Sequence, residues 1–185
     1  LRVRWILPDC RDSFGVSGTV TPEQVEAALS KGGAKAVYVT SPDYMGYMSD
    51  VKALAEVCRR YGVPLLVDNA HGAHLKFGAE DRHPISLGAS MCCDSAHKTL
   101  PVLTGGAYLH IAKEIPVSKE TAKEKAALFG STSPSYLILL SLDLCNAYLA
   151  EHGKADFTKL SETAESLRRT AQKAGFSVQK GLYDD

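Results

Sequence analysis

Three stretches of the 185-residue chain place chemically capable side chains directly after short apolar runs. They are Thr40-Ser41-Pro42-Asp43-Tyr44, Asp68-Asn69-Ala70-His71-Gly72-Ala73-His74 and Asp94-Ser95-Ala96-His97-Lys98-Thr99. If the apolar runs are parallel strands, these residues converge on one rim, because ligands of open α/β sheets bind outside the carboxyl ends of the strands. Each residue alone has an ordinary explanation. An aspartate ending a strand caps it, a histidine under a loop is a satisfied polar group, and most lysines are solvated. Lys98 fits the last reading poorly, since it lies between an apolar strand and Leu100-Pro101-Val102-Leu103. The spacing of His71 and His74 invites zinc, but no acidic residue lies between them and no third ligand is evident, so no metal site is expected.

Taken together, the rim suits pyridoxal 5'-phosphate (PLP). That chemistry needs a lysine amine to condense with the aldehyde and a carboxylate to keep the ring nitrogen protonated. Lys98 and Asp68 have those types. An opposite charge in contact moves a pKa by ~1 to 3 units, roughly 1.4 to 4 kcal/mol, enough to hold a pyridinium. Ser95 and His97, on the turn leading to Lys98, can donate to a phosphate. A competing pattern, Val67-Asp68-Asn69-Ala70-His71, looks like the DEAH box of helicases. It has Asn69 where the catalytic glutamate belongs, and the chain has no GxxxxGK[ST] loop.

The elements that must position these groups follow from periodicity. Thr21 caps a helix with Pro22 at its first position and Val25, Ala28 and Leu29 on its apolar face. Ala36 to Thr40 and Pro64 to Val67 read as strands buried on both faces. Between them Asp50 caps a helix with Val51, Leu54, Ala55 and Cys58 at helical spacing, ending at Gly62. Ala89 to Asp94 is a third strand. Only Lys98 to Gly105 separates it from the run Gly106 to Ile111, too little for a parallel crossover, so that strand should be antiparallel. Helices are expected over Lys119 to Leu128, Pro134 to His152 and Asp156 to Ala174, and strands over Arg2 to Ile6 and from Phe176 to Val178. The fold class is α/β, a mostly parallel sheet with one antiparallel strand, flanked by helices.

Composition narrows the function. Lys+Arg and Asp+Glu are each 21, so the formal net charge is zero and nothing favours nucleic acid or an anionic membrane surface. No run approaches the ~20 apolar residues that span a bilayer. The five cysteines include no CxxC pair and two are adjacent, which fits thiols of a reducing cytoplasm better than disulfides or a zinc ribbon. At roughly 150 residues per domain the length suits one sizeable domain and the edge of another. With Leu1 first and no signal pattern, the chain reads as an interior piece of a longer protein.

The segments VTSPDYMGYMSD, LLVDNAHGAH, HPISLGASMCCDSAHKTLPVLTGGAYLHI and STSPSYLILLSLD resemble, in order and spacing, those of the Orn/Lys/Arg decarboxylases. These are PLP enzymes of the aspartate-aminotransferase fold (fold type I). The likeness runs from near residue 14 to about residue 145. It implies that Lys98 carries the cofactor and Asp68 partners the ring nitrogen. It further implies that Ala70 packs on the ring, His71 reaches the ring hydroxyl, and Ser95 and His97 hold the phosphate. Asn69 departs from the family's usual glutamate, with its side chain expected to point away from the ring. Lys98 and His97 are the candidates for returning a proton to the α-carbon.

The resemblance also implies a homodimer or higher homo-oligomer, with Ser133 and Ser135 serving a partner's cofactor. Residues 1–175 would belong to the large domain and 176–185 to the start of a small one. The phosphate loop and ring-stacking histidine of the family would lie outside this piece, which alone would then be inactive. The expected activity is decarboxylation of arginine, lysine or ornithine, as in polyamine-related metabolism. Another enzyme of the same fold, an aminotransferase or aldolase, is the nearest alternative. A dimerisation module using the Tyr136 to Leu149 face is the non-enzymatic one.

Overall fold

The computed structural model describes residues 2–8, 18–131 and 133–178. The first helix, α1 (Pro22–Leu29), begins with a reciprocal capping box. Thr21 Oγ1 accepts from the Gln24 N–H at 3.3 Å, and Gln24 Oε1 accepts from the Thr21 N–H at 3.0 Å. Strand β1 (Val37–Thr40) leads to α2 (Val51–Arg60), whose first turn is capped by Asp50 accepting from the Ala53 N–H at 2.9 Å. Gly62 ends the helix with φ of 63°, a left-handed conformation that favours glycine. Strand β2 (Leu65–Asp68), a 3-10 turn (Ala73–Lys76), strand β3 (Met91–Asp94), the one-turn helix α3 (Ala96–Thr99) and strand β4 (Tyr108–Ile111) follow. Helices α4 (Lys119–Ala127) and α5 (Tyr136–Lys173) complete the chain.

The sheet order is β1-β2-β3-β4, with β1, β2 and β3 parallel and β4 antiparallel to β3, as the short connection requires. Helices α1 and α2 pack on one face. Val25, Leu29, Leu54, Val57 and Cys58 meet Val37, Leu65, Val67 and Cys92 there in the main core. Each fully buried Leu or Val in such a core contributes ~1.5–3 kcal/mol. A second cluster joins Ala73, Ala96 and Leu100 to Cys145 and Leu149 of α5, so the long helix braces the turn that carries Lys98.

Four local expectations are corrected. Residues 2–6 are irregular rather than a strand. The segment is tied to α1 through side chains: Arg4 Nη1 donates to the Ala28 carbonyl at 2.9 Å, and Gln24 Nε2 donates to the carbonyl of the following Leu7 at 3.0 Å. Phe176 to Val178 is likewise irregular, since a strand needs a neighbour to satisfy its ladder; residues 179–185 lie outside the described residues. The two helices expected after Pro134 are one helix of 38 residues. Gly153 sits inside it because Phe77 packs on its backbone: a Cβ there would stand 2.9 Å from Phe77 Cδ1. Finally, the strands are not buried on both faces, for Tyr38 is 63% and Leu109 52% exposed on the face opposite α1 and α2.

Candidate active site

Parallel pairing puts the carboxyl ends of β2 and β3 at the same edge, and the register sets Asp68 beside Thr40 on one side and Cys93 on the other. Side chains alternate across a strand, so Tyr38 and Asp68 share the open face. The Tyr38 hydroxyl donates to Asp68 Oδ2 at 3.0 Å, while Asp68 Oδ1 accepts from the Ala70 N–H at 3.1 Å. The carboxylate is thereby held in one orientation with acceptor capacity left over. Burial, and then the hydrogen bond and charge of Asp68, push the Tyr38 phenol up to about 12.

Lys98 follows from the other strand end. Asp94 ends β3, Ser95 stands at the cap position of α3, and the single helical turn delivers an exposed Lys98. Its Nζ lies 3.2 Å from His71 Nε2. An ammonium only donates, so with Lys98 protonated His71 accepts through Nε2 and carries its own proton on Nδ1. That Nδ1 is buried and, among the described residues, has no hydrogen-bond partner. An orphaned donor costs about 1–3 kcal/mol, which an acceptor oxygen on a ligand would offset. Tyr44 packs edge-on to the same imidazole, with ring centroids 5.8 Å apart.

His97 is anchored differently. Its Nδ1 and its backbone N–H lie 2.9 and 3.2 Å from the Gly106 carbonyl. A carbonyl only accepts, so Nδ1 carries a proton and Nε2 is left for a ligand. The Ser95 hydroxyl makes no capping bond to α3. Ala70 is half-buried beside Asp68. His74 turns away from this group and stacks on Phe157 at 6.0 Å, its pKa lowered by burial. Ser133 and Ser135 are exposed and bond locally, Ser133 with Ser131 and Ser135 as the cap of α5.

The approach of the β2 end to its neighbours depends on Gly72. A Cβ there would lie 2.0 Å from Asn69 Oδ1 and 2.7 Å from both Leu75 Cδ1 and Pro42 Cδ. Overpacking of this kind costs about 1–3 kcal/mol, so Gly72→Ala should lower the thermal midpoint by roughly 2–10 °C at this size. An unchanged midpoint in a calorimetric melt would remove the close approach as a determinant of the loop.

Behind the rim lies a polar group that sequence reasoning missed. Asn69 is fully buried and donates through Nδ2 to Asp94 Oδ1 at 2.8 Å, pointing into the core as expected for this position. Asp94 Oδ2 lies 3.0 Å from Nε2 of both His83 and His110. Burial raises the Asp94 pKa, but hydrogen bonds from His110, His83 and Asn69 outweigh it and hold the carboxyl well below the usual range. Tyr38 was detectable from alternation on β1. The Asp94 group was not, because its members come from a loop and three strand ends brought together by register.

An amine, a fixed carboxylate with spare acceptor capacity, an orphaned imidazole N–H and a hydroxyl-imidazole pair form a donor set that fits PLP. The architecture agrees. The structure of pyridoxamine-pyruvate aminotransferase from Mesorhizobium loti superposes with a TM-score of 0.66, at 20% identity, over 86% of this chain and 45% of that one. The fold is therefore that of the fold type I, PLP-dependent enzymes.

The sequence narrows the class further. Residues 4–181 match the family model for the Orn/Lys/Arg decarboxylase major domain, and the chain belongs to that family. The uncharacterized protein YaaO of Bacillus subtilis is 36% identical over 172 residues, 90% of this chain and 35% of that protein. An arginine decarboxylase of Bacillus anthracis is 33% identical over 165 residues, 87% and 33% of the two chains. The chain spans about a third of the length of these relatives.

Proposed function

We propose that this chain is part of the PLP-binding domain of a decarboxylase acting on a basic amino acid, with arginine the first candidate. The observation that carries the reading is the pairing of a tyrosine-anchored carboxylate on β2 with a lysine amine on the β3 turn, His71 against that amine. When bound, PLP supplies an electron sink conjugated to the substrate's α-carbon. Asp68 holds the ring nitrogen protonated. Ala70 supports the ring face, and Ser95 and His97 take the phosphate. Lys98 would carry the cofactor and, as an ammonium, would return a proton to the α-carbon. His71 Nε2 accepts from the Lys98 ammonium, whereas His97 is tied to Gly106 and better placed to hold than to shuttle. The name of the Bacillus anthracis relative supports arginine over lysine and ornithine.

In the same reading residues 1–175 belong to the large domain and 176–185 to the start of a second. The protein is a homodimer or larger homo-oligomer, in which Ser133 and Ser135 face a partner's site. Leu137, Leu140 and Leu144 of α5 are exposed here and suit such an interface. Cytoplasmic placement is supported by the free thiols of Cys58, Cys92, Cys93 and Cys145. Among the described residues no helix is long and apolar enough to cross a membrane. The test is a substrate panel on the native protein carrying this chain, supplied with PLP. Carbon dioxide release from arginine, lysine or ornithine is expected. Formation of a keto acid with no carbon dioxide would replace the reading with an aminotransferase.

A further inference from the structure

On the α2 side of the sheet, away from the Lys98 amine, three buried side chains of different donor chemistry converge. His83, Cys92 and Asp94 each offer one ligand atom, and these atoms all lie within 4.8 Å of one another. His83 Nε2 is 3.0 Å from Asp94 Oδ2, and Cys92 Sγ is 3.8 Å from His83 Nε2 and 3.9 Å from Asp94 Oδ1. Metal bonds of about 2.0–2.3 Å at tetrahedral angles set donor separations of roughly 3.2–3.7 Å. The two contacts of His83 Nε2 fall within a few tenths of an ångström of that range, and the sulfur stands 3.9 Å from the second carboxylate oxygen, Oδ1.

We propose that His83 Nε2, Cys92 Sγ and the Asp94 carboxylate form a binding site for a zinc-like divalent transition-metal ion. The mixture of imidazole, thiolate and carboxylate suits zinc or cobalt and not calcium or magnesium, which take oxygen shells. Support for the ligands is built in. Asn69 donates to Asp94 Oδ1 at 2.8 Å, orienting the carboxylate as partners of metal ligands do. His110 Nε2 lies 3.0 Å from Asp94 Oδ2 on the more open side and supports the carboxylate there, leaving the fourth position to a water.

The site also answers an electrostatic need. Among the described residues the buried Asp94 pairs with imidazoles, which are cations only when protonated. A metal ion supplies the compensating charge permanently. On binding, the Cys92 S–H bond breaks, its electron pair forms the metal–sulfur bond and the proton leaves to solvent, while the His83 ring proton moves from Nε2 to Nδ1 so that the Nε2 lone pair binds the metal. No oxidant or reductant takes part. The ion would staple the loop at His83 to β3, whose next residues lead to Lys98. This inference is independent of the PLP reading.

Cobalt titration of the native protein, stripped with chelator and held under reductant, tests it. One equivalent of cobalt should give a thiolate charge-transfer band that zinc bleaches and that Cys93→Ser leaves intact. Cys92→Val should abolish the band and weaken binding by more than about 100-fold, the upper end of what losing a mere ligand-supporting partner costs. If that variant does not fold, His83→Gln, which retains a donor toward Asp94, must weaken cobalt binding instead. Absence of the band in the wild type overturns the site. So does its survival in folded Cys92→Val, its loss in Cys93→Ser, or undiminished affinity in His83→Gln.

Discussion

Lys98→Ala in the native protein should eliminate turnover, lowering kcat by at least ~10⁴-fold. The reason is that one group is assigned two duties, attachment of the cofactor and proton transfer at the α-carbon. General acid–base participation alone is worth about 10²–10⁴-fold, and a nucleophile acting as part of a unit is worth more. The structure supports the assignment through exposure and surroundings: Lys98 is accessible, and its Nζ faces His71 Nε2 at 3.2 Å. Borohydride reduction of the wild type followed by peptide mapping gives a readout other than activity. The cofactor should be fixed to the peptide containing Lys98, and Lys98→Ala should leave no labelled peptide. A label on another lysine, or a variant keeping a tenth of the activity, would overturn both the site and the proposed reaction. Because Lys98 is exposed, the variant should fold normally, so a melt that matches the wild type separates chemistry from stability.

Asp68→Asn should cost about 10²–10³-fold in kcat, the range seen when one fixed electrostatic partner of a transition state is removed. The substitution nearly preserves shape, and the amide oxygen can still accept from Tyr38 or from the Ala70 N–H. What it removes is the negative charge that, in the proposed reading, would keep a ring nitrogen protonated. The Tyr38 phenol provides an independent check. Burial comes first in holding it near 12 and Asp68 second, so loss of the charge should move its ionisation downward, only part of the way to the ordinary value near 10. An ultraviolet titration comparing the two proteins reads that shift. Activity within about threefold of the wild type would remove Asp68 from the reaction. A fall in activity with no change at Tyr38 would mean that the hydrogen-bonded geometry described above does not hold in solution.

Much of the frame was open to reading in one dimension because its causes are local. Caps at Thr21 and Asp50, Gly62 after α2, and alternation of β-branched runs with helical spacing determined the order of elements. The antiparallel β4 followed from the length of the Lys98 to Gly105 connection, since a parallel neighbour needs a longer crossover. The rim residues Asp68, His71, Ser95, His97 and Lys98 were also evident, because in such sheets chemistry gathers at strand ends. Segments whose state depends on a distant neighbour were not. Residues 2–6 alternate like a strand, yet the Arg4 side chain and the Leu7 carbonyl just beyond bond to α1 rather than to an adjacent strand. Gly153 looks like a break, yet packing of Phe77 against it lets α5 run through.

The amino-acid sequence by itself determined the elements, their order and the chemical types available at the sheet edge. Only the tertiary structure decided which of those types meet. The Tyr38–Asp68 bond depends on β1 and β2 register, and the Lys98–His71 contact on two strand ends standing side by side. The group of His83, Cys92, Asp94 and His110 depends on a loop folding under β3 while β4 pairs beside it. Backbone periodicity is set over a few residues, whereas a contact between side chains far apart in the chain exists only after the sheet has chosen its register.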